Sequence, residues 1–177
     1  MFNGGLYYSA EFLQRTFPRD FDLDFEEGRA FFLIDMQPDY TQNINSDKLR
    51  KLIISQKLVL DYCRRYDLPT AVIENGDYHG TITELKKEIE RIPRSEIFKK
   101  KDYSPFKETD LAEKLSQWEI SEAFVMGIYT NQCVSTFAQQ AQNQGLKILT
   151  AEVLTEQPSG FSQEKGVWFK QQGIYIR

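Results

Sequence analysis

The sequence predicts an α/β fold, a three-layer sandwich in which a parallel sheet of about six strands lies between two layers of helices. Three observations lead there. Short apolar runs near residues 30, 70, 97, 123, 147 and 174 alternate with segments of helical spacing, the order expected of strands joined by right-handed crossovers. The best of these runs, AFFLI from Ala30 and AFVMGIY from Ala123, are continuous rather than alternating, as when helices cover both faces of a strand. Finally, 177 residues with 41% hydrophobic and 27% charged side chains suit one domain around one substantial core.

Taken in order, residues 1–28 mix aromatic and charged side chains, with a short helix over 10–15 before Pro18. They read as an N-terminal arm that packs on the domain or on a second subunit, and residues 29–177 form the domain itself. Ala30 to Ile34 is the first strand, ending in Asp35. Residues 46–66 carry Leu49, Leu52, Ile53, Leu60 and Cys63 on one helical face, with Ser46 or Asp47 as N-cap. Cys63 is most simply a core residue. Asp67-Leu68-Pro69 ends that helix, Thr70 to Ile73 is the second strand, and the loop after it holds His79, the single histidine. A charged helix over 81–92 precedes Pro93. Glu96 to Lys99 is a weaker strand, followed by a helix over 110–118 capped by Thr109.

Residues 122–145, EAFVMGIYTNQCVSTFAQQAQNQG, read as a buried strand, a polar turn and a helix. Thr130 and Asn131 offer oxygens to its first N–H groups, and Gly145 is its stop. Cys133 thus lies at a helix start beyond the carboxyl end of a strand, where open α/β sheets bind ligands and where the helix dipole favours a thiolate. Leu146 to Leu149, a helix over 161–172 and Gly173 to Ile176 complete the alternation.

The composition excludes several functions. A net charge of -4 and an isoelectric point near 5.2 disfavour nucleic acid, whose phosphates call for Lys and Arg. Two cysteines make no disulfide framework and show no paired metal-ligand spacing, so a reducing cytosol is the expected setting. No secretion signal and no apolar stretch long enough for a bilayer is visible, so neither a membrane nor a leader is expected.

The loops after parallel strands meet along one sheet edge, so Asp35, Lys100 and Cys133 are able to converge although far apart in sequence. They supply a thiol nucleophile, a carboxylate that accepts its proton and an ammonium that holds nearby negative charge. Spacing to Tyr103 singles out Lys100 from the run Lys99-Lys100-Lys101, with Lys101 as the fallback. Tyr103, Phe106 and Trp168 are candidates to line a pocket, although aromatics at such positions are more often core.

Three segments carry a resemblance to the isochorismatase-like cysteine hydrolases, which include nicotinamidases, isochorismatases and amide and carbamoyl hydrolases. Phe32-Leu33-Ile34-Asp35-Met36-Gln37 resembles the family's first strand and its catalytic aspartate. Lys100 to Phe106, KKDYSPF, resembles its lysine segment, with Pro105 in place of a small residue. Gly127 to Val134, with Ala141 and Gly145 following, resembles its nucleophile turn. The resemblance implies that Cys133 attacks a carbonyl carbon of a small-molecule substrate to form a thioester, that Asp35 moves the proton, and that Lys100 stabilises the charged pair. It also implies an oxyanion hole from the N–H groups of Tyr129 and Cys133 and a cis peptide at Ile128–Tyr129; Tyr103 and Phe106 are the candidates for substrate contact. Relatives of this type are commonly dimers or larger, and the aromatic arm suits an interface; a packed monomer is equally compatible with the sequence.

Many nicotinamidases hold a metal through an Asp-x-His pair and a second histidine. Asp77-Tyr78-His79 matches the pair, but a chain with one histidine lacks the third ligand. The expectation is therefore no metal and no other cofactor, with His79 a hydrogen-bonded loop residue. Two other outcomes remain on the same fold: hydrolysis of an isochorismate-type enol ether, which need not use the cysteine as nucleophile, and a binding module without turnover.

Overall fold

A computed structural model describes residues 28–101, 104–158 and 164–176. The arm predicted over 1–28, apart from Gly28, and Tyr103 lie outside the described residues, as do residues 161–163 of the helix predicted over 161–172. The strands are β1 (Arg29–Ile34), β2 (Thr70–Asn75), β3 (Ser95–Lys100), β4 (Glu122–Ile128), β5 (Lys147–Ala151), β6 (Thr155–Glu156) and β7 (Tyr175–Ile176). They form a sheet of order β3-β2-β1-β4-β5-β7, with the two-residue β6 added beside the end of β4. Every pairing is parallel, as continuous apolar strands require. β1 and β4 are central and buried along their whole length, whereas β3 is an edge strand with Ile97 exposed.

The helices are α1 (Pro38–Thr41), α2 (Ser46–Arg65), α3 (Thr83–Ile89), α4 (Pro105–Glu108), α5 (Leu111–Gln117), α6 (Ser135–Asn143) and α7 (Val167–Gln171). The two-residue period of the strands divides the core between the faces. Phe31, Leu33, Val72, Phe124 and Met126 face α2 and α3, where Leu52, Val59, Leu60, Cys63, Leu85 and Ile89 meet them. Ala30, Phe32, Ile34, Ala71, Ile73, Val125 and Phe98 face the other layer, against Leu111, Leu115, Phe137, Ala138, Ala141 and Phe169. Cys63 is fully buried, as read from the sequence.

The helix ends differ from expectation in instructive ways. Asn45, not Ser46 or Asp47, caps α2, its Oδ1 accepting from the N–H groups of Asp47 and Lys48 at 3.1 and 3.3 Å. The helix expected over 81–92 is shorter, because its first residues are held by Glu74: Thr81 donates both its N–H and its hydroxyl to Oε1 at 2.7 Å. Thr109 does accept from Leu111 N at 3.2 Å. Among the described residues no helix is long and apolar enough to cross a membrane.

Candidate active site

Asp35 follows β1 directly and takes a left-handed backbone with φ 52°, which Asp tolerates better than most residues. Its N–H still donates to Ile73 O at 2.9 Å, so the carboxylate is carried on an extension of the sheet. The side chain is fully buried. Lys100 ends β3, and the alternation of that strand buries Phe98 and Lys100 while exposing Lys99 and Lys101. The strand period therefore selects Lys100 from the basic run and removes the fallback. Its Nζ donates to Asp35 Oδ2 at 2.9 Å. The other oxygen, Oδ1, is buried without a partner at ordinary hydrogen-bond length.

Cys133 completes the convergence. β4 pairs with β1 in register up to Ile34↔Gly127, so the turn after β4 begins beside Asp35. Gly127 has φ 149°, and a Cβ there would stand 2.3 Å from Ile34 O; only glycine lets the two strand ends approach this closely. The chain then reverses at Tyr129, whose left-handed φ and ψ are 60° and 58°. A π-helical turn, Thr130–Val134, leads into α6. Val134 N donates to Tyr129 O at 3.3 Å across five residues, a geometry frequent at functional sites.

Two expectations are corrected here. Among the described residues every peptide bond is trans, so Ile128–Tyr129 is not cis; the left-handed Tyr129 makes the reversal. The thiol of Cys133 is also not lowered by its helix start. Burial pushes it up to about 12, the Asp35 carboxylate adds to this by its charge and as hydrogen-bond acceptor, and Lys100 offsets only part. At rest the site holds a thiol facing a carboxylate. The backbone N–H of Cys133 acts in the opposite sense.

Nor do Thr130 and Asn131 cap the turn, which has no side-chain cap. The Asn131 side chain turns instead to the C-terminal segment, accepting from Gly166 N at 2.8 Å and donating to Glu164 O at 2.8 Å. Phe106 is half-buried and stacks on Phe137, with ring centroids 5.4 Å apart. Trp168 packs edge-on against Phe169 at 5.0 Å. Both rings are partly buried and pack against the core layer.

Sequence reasoning missed Tyr40 and Gln37. Pro38 starts α1, a single turn that brings Tyr40 back over the site. Burial, and then the charge of Asp35, push its phenol well above the ordinary range, and its ring meets those of Tyr78 and Tyr129 edge-on at 5.1 and 5.6 Å. Gln37 is fully buried. Its amide accepts from Asn75 N at 2.7 Å and donates to Asn75 O at 2.9 Å and to His79 O, fastening the loop after β2 to the exit of β1. Pro38, as a helix-start signal directly after Gln37, was the available clue.

The metal expectation turns on His79. Its ring meets Asp39, with Nδ1 3.1 Å from Oδ2, while the Asp77 N–H donates to Asn75 Oδ1. Among the described residues no three His, Cys, Asp or Glu side chains are grouped to hold a metal ion. The Asp-x-His pair does not fit that role, and no catalytic step below passes through a metal. Elsewhere, a groove of about 410 Å³ between α2 and residues 152–156, with Lys48, Lys51 and Lys165 in its walls, contains none of Asp35, Lys100 or Cys133.

The isochorismatase domain pattern matches residues 29–168, which include all three converging residues. The chain belongs to the isochorismatase family. An uncharacterized isochorismatase family protein, PncA, of Bacillus subtilis is 33% identical over 95 residues, covering 54% of this chain but only 50% of its own length. Nicotinamidase 3 of Arabidopsis thaliana is 27% identical over 156 residues, covering 76% of this chain and 75% of its own. Among solved structures, the MAR1 ribonuclease of Caenorhabditis elegans superposes with a TM-score of 0.71 at 20% identity, covering 85% of this chain and 76% of its own. That likeness concerns the isochorismatase-like fold alone.

Proposed function

We propose that the chain hydrolyses a small amide or carbamoyl compound through a thioester on Cys133, without a metal. The observation that carries this reading is the buried Asp35 carboxylate, held by Lys100 through Oδ2, with a second buried oxygen left without a hydrogen-bond partner and near enough to Cys133 to raise its thiol. A thiol whose proton is held to about 12 does not attack as a preformed thiolate. It reacts when a base removes the proton as the S–C bond forms, and Asp35 stands in that place. The sequence of transfers balances. Asp35 takes the thiol proton, sulfur bonds to the carbonyl carbon, and the C–N bond breaks as Asp35 returns the proton to the departing amine. Water then attacks the thioester with Asp35 again as base, and Cys133 regains its proton. The oxyanion would be met by the N–H groups of the turn, those of Tyr129 and Cys133; one such donor contributes about 2.7–4 kcal/mol in other enzymes.

Lys100 supplies the counter-charge that the buried Asp35 side chain needs in the core. Similarity to a nicotinamidase supports the amide class. The test is ammonia release from a panel of primary amides and carbamoyl compounds, with and without EDTA. We expect turnover of at least one compound, unaffected by EDTA and lowered by about 10³-fold or more in Cys133→Ala. Turnover of an enol ether that survives Cys133→Ala would replace this reading with the isochorismate-type reaction. An absence of turnover together with ordinary thiol chemistry would leave a binding module.

A further inference from the structure

We propose that Gln157 is a positioning residue for Cys133, acting from just beyond β6 on the backbone of the nucleophile turn. The proposal rests on the cysteine-hydrolase reading above, and on geometry that none of the sequence motifs contains. β6 adds to β4 in the register Gly127↔Thr155 and Ile128↔Glu156, so Gln157 comes next, alongside Tyr129 where the chain reverses. Gln157 is 6% exposed. Its Oε1 accepts from Asn131 N at 3.0 Å.

That hydrogen bond matters because the turn begins without a local cap. Its leading residue, Tyr129, is left-handed and has no side-chain bond to the N–H groups that follow, and such groups need an acceptor when buried. Gln157 supplies it from the end of a distant strand. Asn131 is two residues before Cys133, so the same contact fixes the path that leads to the sulfur. The Asn131 side chain makes a second fastening, accepting from Gly166 N at 2.8 Å and Val167 N at 3.3 Å. The turn is thereby held on two sides by residues 157 and 164–167, both far along the chain. The other end of the Gln157 amide, Nε2, is buried without a partner among the described residues. Packing alone would favour an apolar side chain at such a place; the amide is explained by the one bond it does make.

The test reads the sulfur directly, so it does not depend on a known substrate. The groups facing the thiol are Asp35 after β1, Lys100 at the end of β3 and Tyr40 in α1. Gln157→Met keeps the length and removes the acceptor; Gln157→Glu keeps an acceptor oxygen. Each full-length variant is alkylated with iodoacetamide across pH, with Cys63 fully buried and the labelled residue identified by mass. We expect the Gln157→Met profile to move down from about 12 toward the ordinary thiol value of about 8.5, because a released turn lets the sulfur leave the carboxylate. Gln157→Glu should stay at or above the wild-type profile. On an amide substrate, Gln157→Met should lower kcat by about tenfold or more with KM little changed, and Gln157→Glu should restore most of it. Should Gln157→Met not fold, Gln157→Ser, too short to reach Asn131, gives the same readout. An unchanged profile in the Met and Ser variants, or equal shifts in the Met and Glu variants, overturns the proposal. A shift confined to Met or Ser in a protein with no amide turnover keeps the positioning role and sinks the catalytic reading; amide turnover with no shift does the reverse.

Discussion

At the amino ends of β1 and β4, Arg29 pairs with Glu122, and the second Glu122 oxygen takes Lys147 Nζ at 2.8 Å. At the carboxyl ends of the same region, Asp35 pairs with Lys100 at 2.9 Å, and its second oxygen has no such partner. Both carboxylates are buried, and both have a cation. Only one lies beside a thiol. Burial of charge therefore does not by itself mark a catalytic centre, since the Glu122 cluster is saturated and joins strand starts. What distinguishes the other end is spare acceptor capacity next to a group that gives up a proton in the proposed reaction.

The sharpest way to break this contrast is to neutralise each acid. Asp35→Asn should lower amide turnover by about 10²–10⁴-fold. It should also move the alkylation profile of Cys133 to lower pH, since a charge that holds the proton on sulfur is gone while Lys100 remains. Glu122→Gln should leave turnover unchanged and destabilise the fold by about 3–5 kcal/mol, read by urea unfolding, because Arg29 loses its buried counter-charge. Loss of turnover in Glu122→Gln would erase the distinction.

Lys100→Met joins both effects in one residue: turnover is lost, and stability falls by about 3–5 kcal/mol as Asp35 is left unpaired. Adding Asp35→Asn to it should restore stability without restoring activity. A double variant no more stable than Lys100→Met alone would mean that the pair is not the source of the cost. A smaller effect separates the thiol from the rest of the fold. Its pKa is raised from 9.0 to about 12, so the folded state holds this proton more tightly than the unfolded chain. That contribution is complete below pH 9 and disappears as pH rises toward about 12. Wild type should therefore lose stability more steeply than Cys133→Ala above pH 9, with Cys63 common to both. The least effect is expected at His79, exposed and paired with Asp39: His79→Ala should leave turnover and the unfolding midpoint unchanged.

The alternation of apolar runs was enough to read the parallel sheet, because strand period is written locally, and the ends of those strands nominated Asp35, Lys100 and Cys133 as candidates. Lys100 shows how far this goes: a two-residue alternation already buries it and exposes Lys99 and Lys101. The trans bond at Ile128–Tyr129 and the high pKa of Cys133 were not legible. The first depends on a left-handed tyrosine that no propensity favours. The second depends on how closely a distant carboxylate approaches, which the helix-start argument ignored. Tyr40 and Gln37 escaped for a related reason: Tyr40 folds back over a strand end outside any motif, and Gln37, although inside the first one, acts through bonds to the distant loop after β2.

Lys100 belongs to β3, an edge strand paired only with β2 among the described residues. Edge elements open at lower free energy than the centre of a sheet. Mild denaturant should therefore detach the amine while the aromatic layers on both sides are still intact, and inactivation would precede the main fluorescence transition. In this protein the border of the sheet, not its middle, would set the working range.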